Sequence, residues 1–119
     1  MVILIVDDNA AVRRVIRDVL AGLDAEVREC ASAEEAFARG VAGSDWVLMD
    51  VELQGLDGIS ATRIIRSIAP ATNVCIVTNH DNARLRREAR QAGACAFVSK
   101  QDLLALPAVL AAPLDTSTS

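Results

Sequence analysis

Residues 2–8 read VILIVDD, five consecutive apolar residues that stop on two aspartates. A run of this length is too short for a helix and suits a strand buried on both faces, the kind found in parallel sheets. Three later stretches repeat the pattern: WVLM at 46–49 ends on Asp50, VCIV at 74–77 on Thr78, and AFVS at 96–99 on Lys100. In an open parallel sheet the carboxyl ends of the strands converge on one crevice, where such folds bind ligands. Three carboxylates, a hydroxyl and an ammonium are therefore expected to meet at one site. Lys100 is the single lysine of the chain, the other eleven basic residues being arginine.

The segments between these runs read as helices. From Ala10, the residues Val12, Val15, Ile16, Val19, Leu20 and Leu23 recur at spacings of 3 and 4, with Asp8 or Asn9 as cap and Gly22 marking the end. AEVREC at 25–30 alternates and carries charges, as an edge strand does. Ser32 and Glu35 form a capping box that opens a short helix ending near Gly40. Asp57-Gly58 reads as a turn and cap before a helix over 58–68. A further helix over 82–92 has Leu85 as its only large apolar residue, supported by Ala83, Ala89 and Ala92, so weak anchoring is expected. Strands are expected at 45–50, 73–78 and about 94–98. Pro107 interrupts the last apolar segment, which places a turn at 101–105 and a short helix from about Pro107 to Ala112. Strand and helix thus alternate five times, the mark of an α/β doubly wound domain with helices on both faces of a parallel sheet.

A chain of 119 residues makes one domain. No apolar run approaches the roughly 20 residues that span a bilayer. No charged leader precedes the first strand, so the cytoplasm is the expected location and no membrane contact is expected. A net charge of −4 argues against direct nucleic-acid binding by this domain. Cys30, Cys75 and Cys95 lack metal or redox spacing and are expected in the core.

Three close carboxylates repel one another unless a cation is bound. Oxygen-only ligands favour a hard ion, and Mg²⁺ fits best, with Mn²⁺ as a substitute. A divalent ion together with Lys100 brings the site to formal neutrality, so a phosphoryl group could enter unrepelled. Phosphoryl transfer needs in-line positioning and charge neutralisation, which a metal, an ammonium and a hydroxyl supply. One carboxylate would act as nucleophile, giving an aspartyl-phosphate. The residues alone leave open which one.

Taken together, Asp7, Asp8, Asp50, Thr78 and Lys100 resemble the signature of the receiver domain of bacterial two-component response regulators, over about residues 2–112. The resemblance implies a flavodoxin-like five-stranded parallel sheet of order 2-1-3-4-5, a receiver domain over 1–114, and a tail or linker stump over 115–119. It implies that Asp50 is the phosphoacceptor, that Asp7 and Asp8 hold Mg²⁺ with Asp50 and the backbone carbonyl of Glu52, and that Lys100 contacts the phosphate. Thr78 and Phe97 would be the switch residues, and Glu52, Asn79 and His80 would modulate phosphate lifetime. The donor would be a histidine kinase or a histidine phosphotransfer protein docking near Arg13, Arg14 and Arg17. Output would pass through the surface formed by the fourth helix (82–92), the fifth strand (about 94–98) and the last helix, which includes Arg84, Arg86, Arg87 and Arg90, to an effector domain or output protein. The domain would be a regulatory switch that catalyses only its own phosphorylation and dephosphorylation, as a monomer or a weak phosphorylation-dependent dimer.

Three positions depart from the family's usual pattern. Gln54 stands where proline is common, Asn79 where a small residue is common, and Gln101 where proline is frequent. The run KQDL at 100–103 instead resembles receivers joined to LuxR-type helix-turn-helix domains. Two other functions are compatible with parts of the pattern. A small Mg²⁺-dependent phosphohydrolase would share the aspartyl-phosphate but would need a DxD-type motif after strand one, which is missing. A degenerate receiver acting by protein contacts alone is opposed by the complete five-residue set. A flavodoxin-like nucleotide-binding module would need a Gly- or Ser-rich phosphate loop, which no strand here precedes.

Overall fold

The computed structural model describes residues 1–111. Its elements follow the order β1 (Val2–Val6), α1 (Ala10–Val19), β2 (Glu26–Cys30), α2 (Ala33–Arg39), β3 (Trp46–Met49), α3 (Gly58–Ile68), β4 (Asn73–Thr78), α4 (Ala83–Ala92), β5 (Ala96–Ser99), a 3₁₀ turn (Lys100–Ala105) and α5 (Leu106–Ala111). The five strands form one parallel sheet ordered β2-β1-β3-β4-β5, the flavodoxin-like arrangement. The tail at 115–119 and the expected helix end at Ala112 lie outside the described residues.

Successive strand side chains point to opposite faces, and this two-residue period divides the core. Leu4, Val6, Val47, Met49, Val74 and Ile76 face α2, α3 and α4. Ile3, Ile5, Leu48, Cys75, Val77 and Val98 face α1 and α5, where Ile16, Leu20, Leu106 and Leu110 close the layer. Each such aliphatic side chain contributes about 1.5–3 kcal/mol on full burial. α4 is held differently: its buried residues are Ala89 and Ala92, and Leu85 is only partly covered. Short alanine side chains remove little apolar area, so the expectation of a lightly anchored helix stands.

The structure moves several boundaries. α1 ends at Val19 with Leu20 as cap, because Leu20 folds into the core while Ala21 and Gly22 are exposed. Its N-cap is Asn9, whose side chain accepts from the Ala11 and Val12 amides, which leaves Asp8 available for other work. In the box before α2, Ser32 Oγ accepts from the Glu35 amide at 3.0 Å, but Glu35 reaches back to the Ala31 amide at 3.3 Å. Cys30 and Cys75 are buried as expected, whereas Cys95 is exposed. β5 begins at Ala96, about two residues later than expected, and Cys95 sits just before the strand with Sγ 3.5 Å from Asn73 Oδ1.

One glycine positions the site directly. Gly58 opens α3, its amide donates to the Val51 carbonyl at 3.1 Å, and a Cβ placed on it would overlap the Asp50 carbonyl oxygen. Asp57 caps the same helix by accepting from the Ser60 amide. The Asp57-Gly58 pair is thus both the expected cap and a close approach of α3 to the backbone of Asp50. Gly58→Ala is expected to cost about 1–3 kcal/mol, the range for an extra methyl forced into a packed place. Urea unfolding checks this as a lower midpoint at unchanged slope.

Candidate functional site

The parallel register aligns the strand ends: Val6 pairs with Met49, Met49 with Ile76, and Thr78 with Ser99. The residues immediately after β1, β3 and β5, together with the last residue of β4, are Asp7, Asp50, Lys100 and Thr78. Asp7 is 2% exposed, Asp50 4% and Thr78 0%. Lys100 Nζ lies 2.8 Å from Asp7 Oδ2 and 3.3 Å from Asp50 Oδ2, bridging two strands that are not its neighbours.

Each remaining oxygen has a defined surrounding. Asp7 Oδ1 accepts from the Asn9 amide at 2.8 Å and Asp50 Oδ1 from the Glu52 amide at 3.2 Å. Among the described residues, Asp7 Oδ2 is buried without a well-directed hydrogen bond, its close partner being the Lys100 ammonium. Asp8 is exposed, yet Asp7, Asp8 and Asp50 each offer an oxygen, and the three oxygens lie within 4.8 Å of one another. With Lys100 counted, this cluster keeps a formal charge of −2, which one divalent cation cancels. Three hard oxygen donors, one of them underused, fit Mg²⁺.

Electrostatics agree with that geometry. Burial, followed by the charge of Asp7, pushes the Asp50 carboxyl above its ordinary value, and the counteracting pull of Lys100 and the Glu52 amide does not cancel the rise. For Lys100, burial disfavours the ammonium, but Asp7 and Asp50 outweigh it and hold the amine above its usual value.

The outer expected residues fall in two groups. Glu52 and His80 meet, Oε1 to Nε2 at 2.6 Å, joining the loop after β3 to the loop after β4. The His80 amide also donates to Thr78 Oγ1 at 3.1 Å. Asn79 lines a separate groove together with Ala11, Val12, Val15, Lys100 and Leu103. Phe97 is half-buried against the α2–α4 side of the core, under the Arg86 guanidinium at 4.5 Å, and Arg86 is held by Asp81 through 2.6 and 3.0 Å hydrogen bonds. This clasp was not legible in the sequence, since Asp81 and Arg86 stand on no recognisable pattern. Of the arginines on α1, Arg13 is turned inward to the Asp7 carbonyl and Glu29, Arg17 binds Glu29 and the Val27 carbonyl, and Arg14 is exposed.

Comparison with known proteins agrees with the fold. Residues 3–110 match the family model described as the response regulator receiver domain. The chain is 38% identical over 113 residues to the transcriptional activator protein ExaE of Pseudomonas putida, covering 92% of this chain and 51% of that protein. It is 34% identical to the structure of a two-component response regulator of the LuxR family from Aurantimonas sp. SI85-9A1, with a TM-score of 0.80, covering 92% of this chain and 84% of that one. The chemotaxis protein CheY4 of Vibrio cholerae, 23% identical, shares the fold at a TM-score of 0.81 over 92% of this chain and 94% of that one. The chain belongs to the receiver-domain family of response regulators, the regulatory domains of two-component signalling. It spans about half the length of ExaE. Among the described residues no helix is long and apolar enough to cross a membrane.

The raised Asp50 pKa gives a stability prediction. In the folded state Asp50 holds its proton more tightly than in the unfolded chain, so its ionisation destabilises the fold as pH rises above the ordinary value of 3.8. Below that value both states are protonated and the penalty vanishes. Asp50→Asn is therefore expected to raise the urea midpoint at pH 7 in the presence of a chelator. The gain should shrink on acidification, as a midpoint series from pH 7 to pH 3.5 would show.

Proposed function

We propose that this domain is a phosphorylation-controlled switch that accepts a phosphoryl group on Asp50 from the histidine of a kinase or phosphotransfer protein. The observation that carries this reading is the Lys100 ammonium shared between buried Asp7 and Asp50, with an oxygen of Asp8 close by. Mg²⁺, held by the carboxylates of Asp7, Asp8 and Asp50 and the carbonyl of Glu52, would supply neutralisation of the phosphoryl oxygens; Mn²⁺ has the same ligand preference. Asp50 attacks phosphorus through a carboxylate oxygen: a P–O bond forms, the P–N bond to the donor imidazole breaks, and that imidazole leaves and takes up a proton. Lys100 already stands 3.3 Å from Asp50 Oδ2, where it would pair with a phosphoryl oxygen. Thr78 supplies a hydroxyl from the neighbouring strand end.

Phosphorylation would draw Thr78 toward the new charge, and the loop after β4 would follow, since its His80 amide is bonded to the Thr78 hydroxyl. Phe97 and α4 are the elements free to respond, the ring being half-buried and the helix anchored through alanines. Such a response is a shift between two populations rather than a new fold. The output would be an effector domain or a separate output protein, in keeping with the transcriptional role named for ExaE.

Intact mass measured after incubation with Mg²⁺ and a phosphohistidine donor or acetyl phosphate is expected to rise by about 80 Da, one phosphoryl group. Asp50→Asn should abolish the gain, and a wild-type protein that stays unlabelled by every donor would favour a receiver acting by contacts alone. Glu52 and His80, which meet between the loops after β3 and β4, and Asn79, which lines the groove beside Lys100, would restrict water near the acceptor and prolong the phosphate's life. Asn79→Ala is accordingly expected to lose phosphate faster than wild type; decay that is equal or slower would remove Asn79 from this role.

A further inference from the structure

The loop between β3 and α3 carries Glu52; its middle is anchored by the buried Leu53 side chain and the partly buried Leu56, but few hydrogen bonds hold its backbone. Its ends are fixed at Asp50 through the Glu52 amide and at Gly58 through the Val51 carbonyl. Between them, Gln54 and Gly55 are exposed. Among the described residues, a single hydrogen bond reaches residues 53–56: the Leu56 amide donates to Glu34 Oε2 at 3.2 Å. Glu34 stands in the first turn of α2, which is itself fixed by the Ser32 cap and by buried Ala33 and Ala36. The carboxylate comes so close that a Cβ on Gly55 would overlap it, and Gly55 has φ +80°, a conformation that favours glycine. Gly55 thus opens the space through which the side chain of Glu34 meets the loop.

We propose that Glu34 is a positioning residue of the metal site, its carboxylate pinning the Leu56 amide and so holding the loop that presents the Glu52 carbonyl. The proposal rests on the metal reading given above. Glu34 acts through a hydrogen bond rather than through its field, because its side chain is exposed and its charge is screened by water. Glutamine keeps an acceptor oxygen at that reach; alanine does not.

Mg²⁺ titration of wild type, Glu34→Gln and Glu34→Ala by isothermal calorimetry, paired with amide hydrogen exchange at Leu56, tests this. For Glu34→Ala the Mg²⁺ Kd is expected to rise about fivefold, the loss of roughly one ordinary hydrogen bond, and Leu56 should exchange faster. Glu34→Gln should remain within about twofold of wild type in both readings. Unchanged Mg²⁺ affinity in Glu34→Ala, with wild type binding normally, would overturn the positioning role and leave the metal site standing. Glu34→Gln as weak as Glu34→Ala would overturn it too, by showing a charge effect. Wild type that binds no Mg²⁺ would instead overturn the metal reading itself, and this role with it.

Discussion

One ammonium set between two buried carboxylates is the constraint on which the rest of the site depends. Asp7 and Asp50 are almost wholly removed from water, and leaving either charge there without a partner would cost several kcal/mol. Lys100 reaches them from the far side of the sheet, with β4 lying between. A compact amine on a flexible stem suits that task better than a planar guanidinium with five fixed donors. The pairing is incomplete, because two carboxylates and the nearby Asp8 outnumber one lysine. That residual negative charge makes a cation, and then an anion bound to the cation, welcome at the same place.

The two faces of the sheet divide the labour. Beneath α1 and α5, the layer is made mostly of large buried aliphatic side chains, with Trp46 among them. On the other face, α4 rests on alanines, and the Phe97 ring beside it is covered by Arg86 rather than by core. Large side chains thus anchor α1 and α5, whereas α4 alone on the other face is lightly held. The loops above follow the same logic: the Gly58 approach fixes the backbone of Asp50, and the Glu52–His80 contact ties two loops that would otherwise be independent.

Most of the fold was legible in the residue pattern. Short apolar runs, an alternating edge strand, 3-and-4 spacings, a capping box and Pro107 together located the five strands and five helices of the described residues within a few positions, because these signals are local. Misplacements arose where tertiary packing overrode local signals. Leu20 continued the helical spacing of α1 but became its cap, and Cys95 sat in an apolar run yet faces outward at the start of an edge strand. The pairing of Arg13 and Arg17 with Glu29 was likewise invisible, since Glu29 belongs to a different element, 12 to 16 residues away.

By itself, the sequence determined which residue types end which strands, and therefore that acids, a hydroxyl and an amine share one end of a parallel sheet. Strand ends are local features, and parallel topology gathers them without further instruction. Only the tertiary structure decided that the ammonium lies between Asp7 and Asp50, that Glu52 meets His80, that Arg86 covers Phe97 and that Glu34 reaches the loop after β3. Those are contacts between side chains on different elements, where a rotamer or a one-residue shift changes the partner, and no spacing along the chain encodes them.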